Sequence, residues 1–245
     1  MIRLSVNINK VATLRNSRGG AVPSVVEAVK ACVDAGAPGI TVHPRADERH
    51  ITPADVRDVA AALERMRDRV EYNIEGDPRP GLISLVEEVR PDQCTLVPVR
   101  PGELTSEAGW PADTPKGELR DIIDRFHEHG VRVSLFVEPR EKAIAWAADL
   151  GADRVELYTE PYARAFEHGA EARDASLSQY RQACIWAHTR GLGVNAGHDL
   201  DLENLPAFVT LPHLAEVSIG HALISRALHV GLVQVVAEYL QITSR

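Results

Sequence analysis

Cysteine is scarce in this chain of 245 residues, and the three present, Cys32, Cys94 and Cys184, are far apart, odd in number and without a CxxC pair. That usage excludes a disulfide framework and a thiolate zinc knuckle, and reads as three small buried hydrophobes in a reducing compartment. A membrane-spanning run of about 18 apolar residues is missing. The N-terminal MIRLSVNINK carries Lys and Arg early and has no long apolar segment, so it does not read as a signal peptide, and the chain is expected in the cytoplasm. Positive charge is in deficit, with 27 Lys and Arg against 35 Asp and Glu and a net charge of -8. No cluster of basic residues interleaved with aromatics offsets it locally, so nucleic acid is not an expected partner. Linkers, low-complexity runs and blocks of like charge are absent as well. The length suits one α/β barrel, and a single domain over 1–245 is expected.

What the sequence has is alternation. Short β-branched runs recur at LSVNI (4–8), GITVH (39–43), VEYNIE (70–75), QCTLVP (93–98), VRVSLFVE (131–138), RVELYT (154–159), LGVNAG (192–197) and EVSIG (216–220). Amphipathic stretches such as VPSVVEAVKACVDAG, ITPADVRDVAAALERM and ELRDIIDRFHEHG lie between them, with apolar residues three and four apart. Gly36, Gly130 and Gly151 close such stretches, where a left-handed residue caps the last helical carbonyls. Eight strand-helix units predict a closed (β/α)8 TIM barrel. An open doubly wound sheet is the alternative, but no GxGxxG follows a strand.

In such a barrel the active site forms at the C-terminal ends of the strands. Those positions hold Asn7, His43 with Arg45, Glu75, Thr105 in a long loop, Glu156, His198 and Gly220-His221. Taken singly, each has an ordinary explanation as a cap, a loop ion pair or a solvated turn; their shared face points to proton transfer and anion binding. His43 and Arg45 are two residues apart and would point the same way in an extended segment. Glu75 stands where the third strand opens into a loop, a setting that can raise a carboxyl toward values useful for proton transfer. His198 follows Asn195-Ala196-Gly197, small residues that allow a close approach to the imidazole. Gly220-His221 leads straight into ALISRALHVGLVQVVAEYL, so a helix N-terminus would face the mouth as an anion site. Arg15 to Gly20 after the first strand offers two cations on flexible backbone and suits a second phosphate. The pairs His127/His129 and Cys184/His188 lack further ligands and are assigned to structure. Residues 160–176 are expected to form a long loop or short helix over the mouth.

Read in order, VNINKVATLRNSRGG, GITVHPRADERHIT, NIEG, TLVP, SLFV, ELYTEPYA, VNAGHDL and IGHALISRA resemble the pyridoxine 5'-phosphate synthase family, over about residues 3 to 228. The resemblance implies condensation of 1-deoxy-D-xylulose 5-phosphate with 3-amino-2-oxopropyl phosphate to give pyridoxine 5'-phosphate, phosphate and water, with no metal or organic cofactor. It implies His43 and Glu75 as proton acceptors, His198 as proton donor and Glu156 as a supporting carboxylate. Asn7, Arg18, Asp199, Gly220 and His221 match positions that hold the amino-ketone phosphate, and Arg45, His50 and Thr105 those that hold the deoxyxylulose phosphate. The family also implies a homo-octamer built from dimers. The chain departs from the common family pattern at Asn9-Lys10, where many members have Asp-His against the sugar phosphate, and at Asp199, where some have Gly. Two other readings remain open: a metal-dependent barrel hydrolase, although no HExxH is present, and a non-catalytic binder of phosphorylated metabolites.

Overall fold

The computed structural model describes residues 1–98 and 108–244. Eight strands, β1 (Arg3–Asn7), β2 (Gly39–Val42), β3 (Glu71–Gly76), β4 (Gln93–Leu96), β5 (Arg132–Val137), β6 (Arg154–Leu157), β7 (Gly193–Ala196) and β8 (Leu214–Ile219), pair in parallel and in sequence order, and β1 meets β8 to close the barrel. The expected (β/α)8 fold is therefore observed. The helices around it are α1 (Asn9–Asn16), α2 (Val25–Asp34), α3 (Pro53–Leu63), α4 (Pro80–Val89), α5 (Gly117–Glu128), α6 (Glu141–Asp149), α7 (Glu160–Glu167), α8 (Ala170–Thr189), α9 (Leu205–Phe208), α10 (His221–Val230) and α11 (Leu232–Thr243). Gly36, Gly130 and Gly151 take φ of 96, 72 and 85°, the left-handed caps that the sequence called for.

The strands divide their side chains by parity. Leu4, Val6, Ile40, Val42, Tyr72, Ile74, Val133, Leu135, Val155, Val194 and Val217 are buried in the apolar layer between the barrel and its helices. The alternate set, Arg3, Ser5, Thr41, Glu71, Asn73, Gln93, Thr95, Arg132, Ser134, Arg154, Asn195 and Glu216, points inward. Contacts that skip strands establish this: Asn195 Nδ2 on β7 donates to Gln93 Oε1 on β4 at 3.4 Å, and Arg132 on β5 pairs with Glu71 on β3. Branched aliphatic side chains usually fill this space. Here it is filled by hydrogen-bonding groups, among them Ser5 with Thr41 at 2.7 Å, Asn73 Nδ2 on Thr41 Oγ1 at 3.3 Å and Thr95 Oγ1 on Asn73 Oδ1 at 3.1 Å. Burial without such partners would cost each group free energy.

One open alternative is resolved and one expectation changes. Of the loop and the short helix expected over 160–176, the short helix is observed, as α7, followed after two residues by the start of α8. Tyr162 pins the segment down, because its buried ring packs on Tyr180 and Phe208 and its hydroxyl donates to the carbonyl of Asn204 at 2.8 Å. Arg15 lies on α1 rather than in a loop, and its guanidinium is bidentate on Asp55 of α3, so it is engaged in structure and not held ready for a phosphate. Asp55 also closes a capping box, accepting from Thr52 N at 2.8 Å while its own N–H donates to Thr52 Oγ1 at 3.2 Å. Burial would raise this carboxyl, but the hydrogen bonds from Arg15 and Thr52 hold it below its ordinary 3.8.

Thr52→Ala removes one half of that box and is expected to cost about 1 kcal/mol in urea unfolding. Because the Asp55 value is depressed on folding, its stabilisation is present above about pH 4 and fades as pH falls through the lowered value. Asp55→Asn should flatten that part of the acid limb of stability; an unchanged limb would mean that the pairing contributes nothing.

Candidate active site

The mouth is organised from the first strand end. Asn7, the last residue of β1, accepts from the backbone N–H of Asn9 at 3.1 Å, and Asn9 Oδ1 in turn accepts from the backbone N–H of His43 at 2.9 Å. The start of α1 thereby fixes where the chain leaves β2. Asn7 Nδ2 donates to Glu75 Oε2 at 3.3 Å, and His43 Nδ1 lies 3.8 Å from that same oxygen. Three residues that the sequence placed only by strand end thus meet at one buried carboxyl. His43 Nε2 is buried and has no protein hydrogen-bond partner among the described residues.

Glu75 lies on β3, and burial, followed by the nearby Glu216, pushes its carboxyl up to about 8. Glu156 on β6 is raised too, by burial and then by Glu75. On the opposite side of the barrel, His198 follows β7; its carbonyl accepts from Thr159 Oγ1 at 2.5 Å, and its ring lies 4.9 Å from Phe136 and 5.7 Å from Tyr158 between centroids. Burial lowers the His198 imidazole against the opposing pull of Asp199. His43 is held far below 6.5 by burial, then by the charges of His50, Arg45, Arg79 and His198. Gly197 is there for clearance: a Cβ would lie 2.6 Å from the Ser218 carbonyl oxygen and 3.3 Å from Glu156 Oε1.

Cationic and N–H groups flank this cluster. Arg45 is buried, with its Nε 3.6 Å from Asp47 Oδ1. His50 stands edge-on to His43 at 5.9 Å; its Nδ1 accepts from the Ile51 N–H at 2.9 Å, which assigns the proton of the neutral ring to Nε2. Burial, then Arg45 and Lys10, push His50 down to about 4. The ten-residue α10 begins at His221 after Gly220, and no side chain caps its first turn, so backbone N–H groups remain for an anion. A Cβ at Gly220 would come within 3.2 Å of Asn7. Asp199 holds a left-handed φ of 58°, and its carbonyl accepts from Asn204 Nδ2 at 3.0 Å. Arg18 is exposed beyond α1, and among the described residues its guanidinium makes no hydrogen bond or ion pair, so the fold does not draw it into the cluster. Thr105 lies outside the described residues.

Reading strand ends alone missed three contributors. Arg79 pairs with Asp77, donates to the Pro44 carbonyl at 2.6 Å and acts on His43. Asn9 sets the backbone of His43. Glu216 sits deeper on β8 and acts on Glu75. The signal for Glu216 was in the sequence, because polar residues alternate through strands that a parallel barrel normally makes apolar on both faces.

Titrating the imidazole resonances by NMR in the ligand-free protein should find His43 still neutral at pH 6.5, the His198 midpoint below 6.5 and His50 protonating only near 4. An ordinary midpoint at any of the three would break this account of the electrostatics.

The family described as "Pyridoxal phosphate biosynthesis protein PdxJ" matches residues 4–245. A pyridoxine 5'-phosphate synthase of Porphyromonas gingivalis is 50% identical over 240 residues, 98% of each chain, and one of Leptospira biflexa is 46% identical over 254 residues, covering 100% of this chain and 98% of that one. Among solved structures, phosphoribosyl anthranilate isomerase from Thermotoga maritima aligns with a TM-score of 0.63 at 13% identity over 100% of this chain and 99% of that one. Thiamine phosphate pyrophosphorylase from Pyrococcus furiosus gives 0.63 at 14% identity over 99% and 96%. Likenesses at that identity support the barrel fold alone. With nearly its whole length matched, and with close relatives at half identity, the chain belongs to the PdxJ family of pyridoxal phosphate biosynthesis proteins.

Proposed function

We propose that this chain is a pyridoxine 5'-phosphate synthase, joining 1-deoxy-D-xylulose 5-phosphate and 3-amino-2-oxopropyl phosphate into pyridoxine 5'-phosphate with release of phosphate and water. The observation that carries the reading is the meeting of Asn7, His43 and Glu75 at one buried carboxyl oxygen, in a chain half identical to relatives of that name.

An amine adds to a ketone only in its unprotonated form, and each later loss of water or phosphate moves further protons. Glu75 and His43 accept those protons, with Glu156 as the supporting carboxyl. An incoming ammonium beside Glu75 favours its ionised form, so the substrate itself draws the base into readiness. His198 donates. Burial disfavours protonation of its imidazole in the empty site, and the two phosphates bring the negative charge that promotes it. The N-terminus of α10 at Gly220 and His221, with Asn7, takes the amino-ketone phosphate; Asp199 and, by the family resemblance, Arg18 are assigned to the same phosphate. Arg45 and His50, with Thr105, take the deoxyxylulose phosphate.

The hydrolase reading lacks a ligand set, since among the described residues no group of three or more His, Cys, Asp or Glu could hold a metal. A binding protein without chemistry would not need carboxyls and imidazoles displaced so far from their ordinary values. No helix among the described residues is long and apolar enough to cross a membrane. The site of action proposed is the cytoplasm, the partners are the two phosphorylated substrates, and the assembly is a homo-octamer built from dimers, which the mass from light scattering checks.

Incubating the purified protein with both substrates and no added metal should yield pyridoxine 5'-phosphate; no product from folded protein refutes the assignment. Glu75→Gln and His198→Ala should each lower turnover about 100-fold or more. Because a proton acceptor must be ionised, and Glu75 in the free enzyme ionises at about 8, kcat/KM should rise with pH up to that value. A flat profile across that range would remove Glu75 as the base.

A further inference from the structure

An imidazole that hands on a proton is commonly held in place by a hydrogen bond at its other ring nitrogen. His198 lacks that hold. Among the described residues neither of its ring nitrogens is hydrogen-bonded, and the residue is fastened through its carbonyl, which accepts from Thr159 Oγ1 at 2.5 Å. What surrounds the ring is aromatic. The Phe136 centroid lies 4.9 Å away with the two planes 45° apart, and that of Tyr158 lies 5.7 Å away at 75°. Phe136 and Tyr158 stand edge-on to one another at 5.6 Å, so the three rings close a triangle. All three separations fall in the range of about 4.5–7 Å over which tilted and edge-to-face ring pairs attract.

Phe136 breaks the pattern of its strand. On β5 it continues the inward positions of Arg132 and Ser134, and it registers with Glu156 of β6. It is fully buried, yet it is not part of the apolar layer between the barrel and its helices. An apolar ring set among hydrogen-bonding groups finds its ring partners in Tyr158 and His198 instead. The backbone that carries the two rings is tied on several sides. Trp110 N–H donates to the Phe136 carbonyl at 2.9 Å, Tyr158 N–H donates to the Val137 carbonyl at 2.9 Å, and the Tyr158 carbonyl accepts from the Tyr180 hydroxyl at 2.5 Å. The rings are thus anchored through β5, β6 and α8, while the imidazole they flank comes from the loop after β7.

We infer that Phe136 and Tyr158 are positioning residues for His198: their rings fix the orientation of its imidazole at the mouth, and with it the direction in which its proton is given to the reactants. The inference rests on the synthase reading, because that reading makes His198 the donor. A donor turned away from its acceptor loses rate far more than it loses substrate binding, and neither aromatic ring has to touch a reactant for this to hold.

In the full-length enzyme, Phe136→Leu and Tyr158→Leu keep apolar bulk and lose the ring. Each should lower kcat about 10-fold or more, with KM for both substrates held within about two-fold. Tyr158→Phe, which keeps the ring and loses only the hydroxyl, should return kcat toward the wild-type value. Because the rings act through His198, Tyr158→Leu should slow the His198→Ala enzyme no further. Leucine variants with wild-type kcat, a Tyr158→Phe enzyme as slow as Tyr158→Leu, or losses that add in full to that of His198→Ala would each overturn the inference. Tyr158 is half-buried, so its leucine variant carries the test where loss of the fully buried Phe136 ring prevents folding. The wild-type protein supplies a reading that needs no variant: NMR of aromatic-labelled enzyme should show nuclear Overhauser contacts from the His198 ring protons to both neighbouring rings, and their absence would also overturn it. If the wild type forms no product, the synthase reading fails and takes this inference with it; if it does and any overturning result appears, only this inference fails.

Discussion

A carboxyl taken out of water must either keep its proton or find a donor, and the interior of this barrel holds four of them. Glu71 is satisfied by guanidiniums at the base, Glu216 by Arg154, and Glu75 by the Asn7 amide with His43 beyond. Glu156 is left with its ionisation opposed by burial and by Glu75. The rest of the architecture follows from accommodating this set. Apolar residues are confined to the outer face of the strands, where they bind the helices, and the interior becomes a hydrogen-bonded lattice of Ser5, Thr41, Asn73, Thr95, Gln93 and Asn195. Such a lattice contributes little net stability per bond, about 1 kcal/mol each, but any break in it leaves a buried group unpaired.

Strand ends were legible in the sequence because the C-terminal rim of a barrel is a fixed address, and that rule put His43, Glu75, Glu156 and His198 on one face. What was not legible is whatever depends on a partner distant in sequence. Arg15 and Asp55 are forty residues apart, and their pairing turned an apparent phosphate loop into a fastening between α1 and α3. The run from 160 to 176 left loop and short helix open, and what decides for helix is distant in sequence, since Tyr162 packs against Tyr180 and Phe208. The inward polar set was readable in principle from its period of two, since Glu71, Asn73 and Glu75 occupy alternate positions of a single strand. It goes unnoticed when only the last residue of each strand is weighed.

An acidic chain that takes two phosphates must concentrate positive potential locally. The means are dispersed over several elements: Arg45 and Arg79 near His43, His50 at the end of the same loop, and the uncapped first turn of α10. These groups also suppress protonation of His43 and His50, so in the empty site the imidazoles add no charge of their own. Under the proposed function, phosphate entering the site would favour protonation of His198, the donor, whereas His43 already has in the empty site the neutral form that an acceptor needs.

Asn9 and Lys10 show how a departure from the common family pattern can keep its function. Asn9 offers through Oδ1 the acceptor that the His43 backbone N–H requires, as an aspartate there would, while removing a negative charge from beside the anion sites. Lys10 is close enough to depress His50 electrostatically, so a permanent cation stands at a position where a histidine would be charged only part of the time. Both changes act in the same direction. They preserve the hydrogen bond that positions the backbone of His43 and put a cation, next to a neutral Asn9 rather than an anion, beside His50.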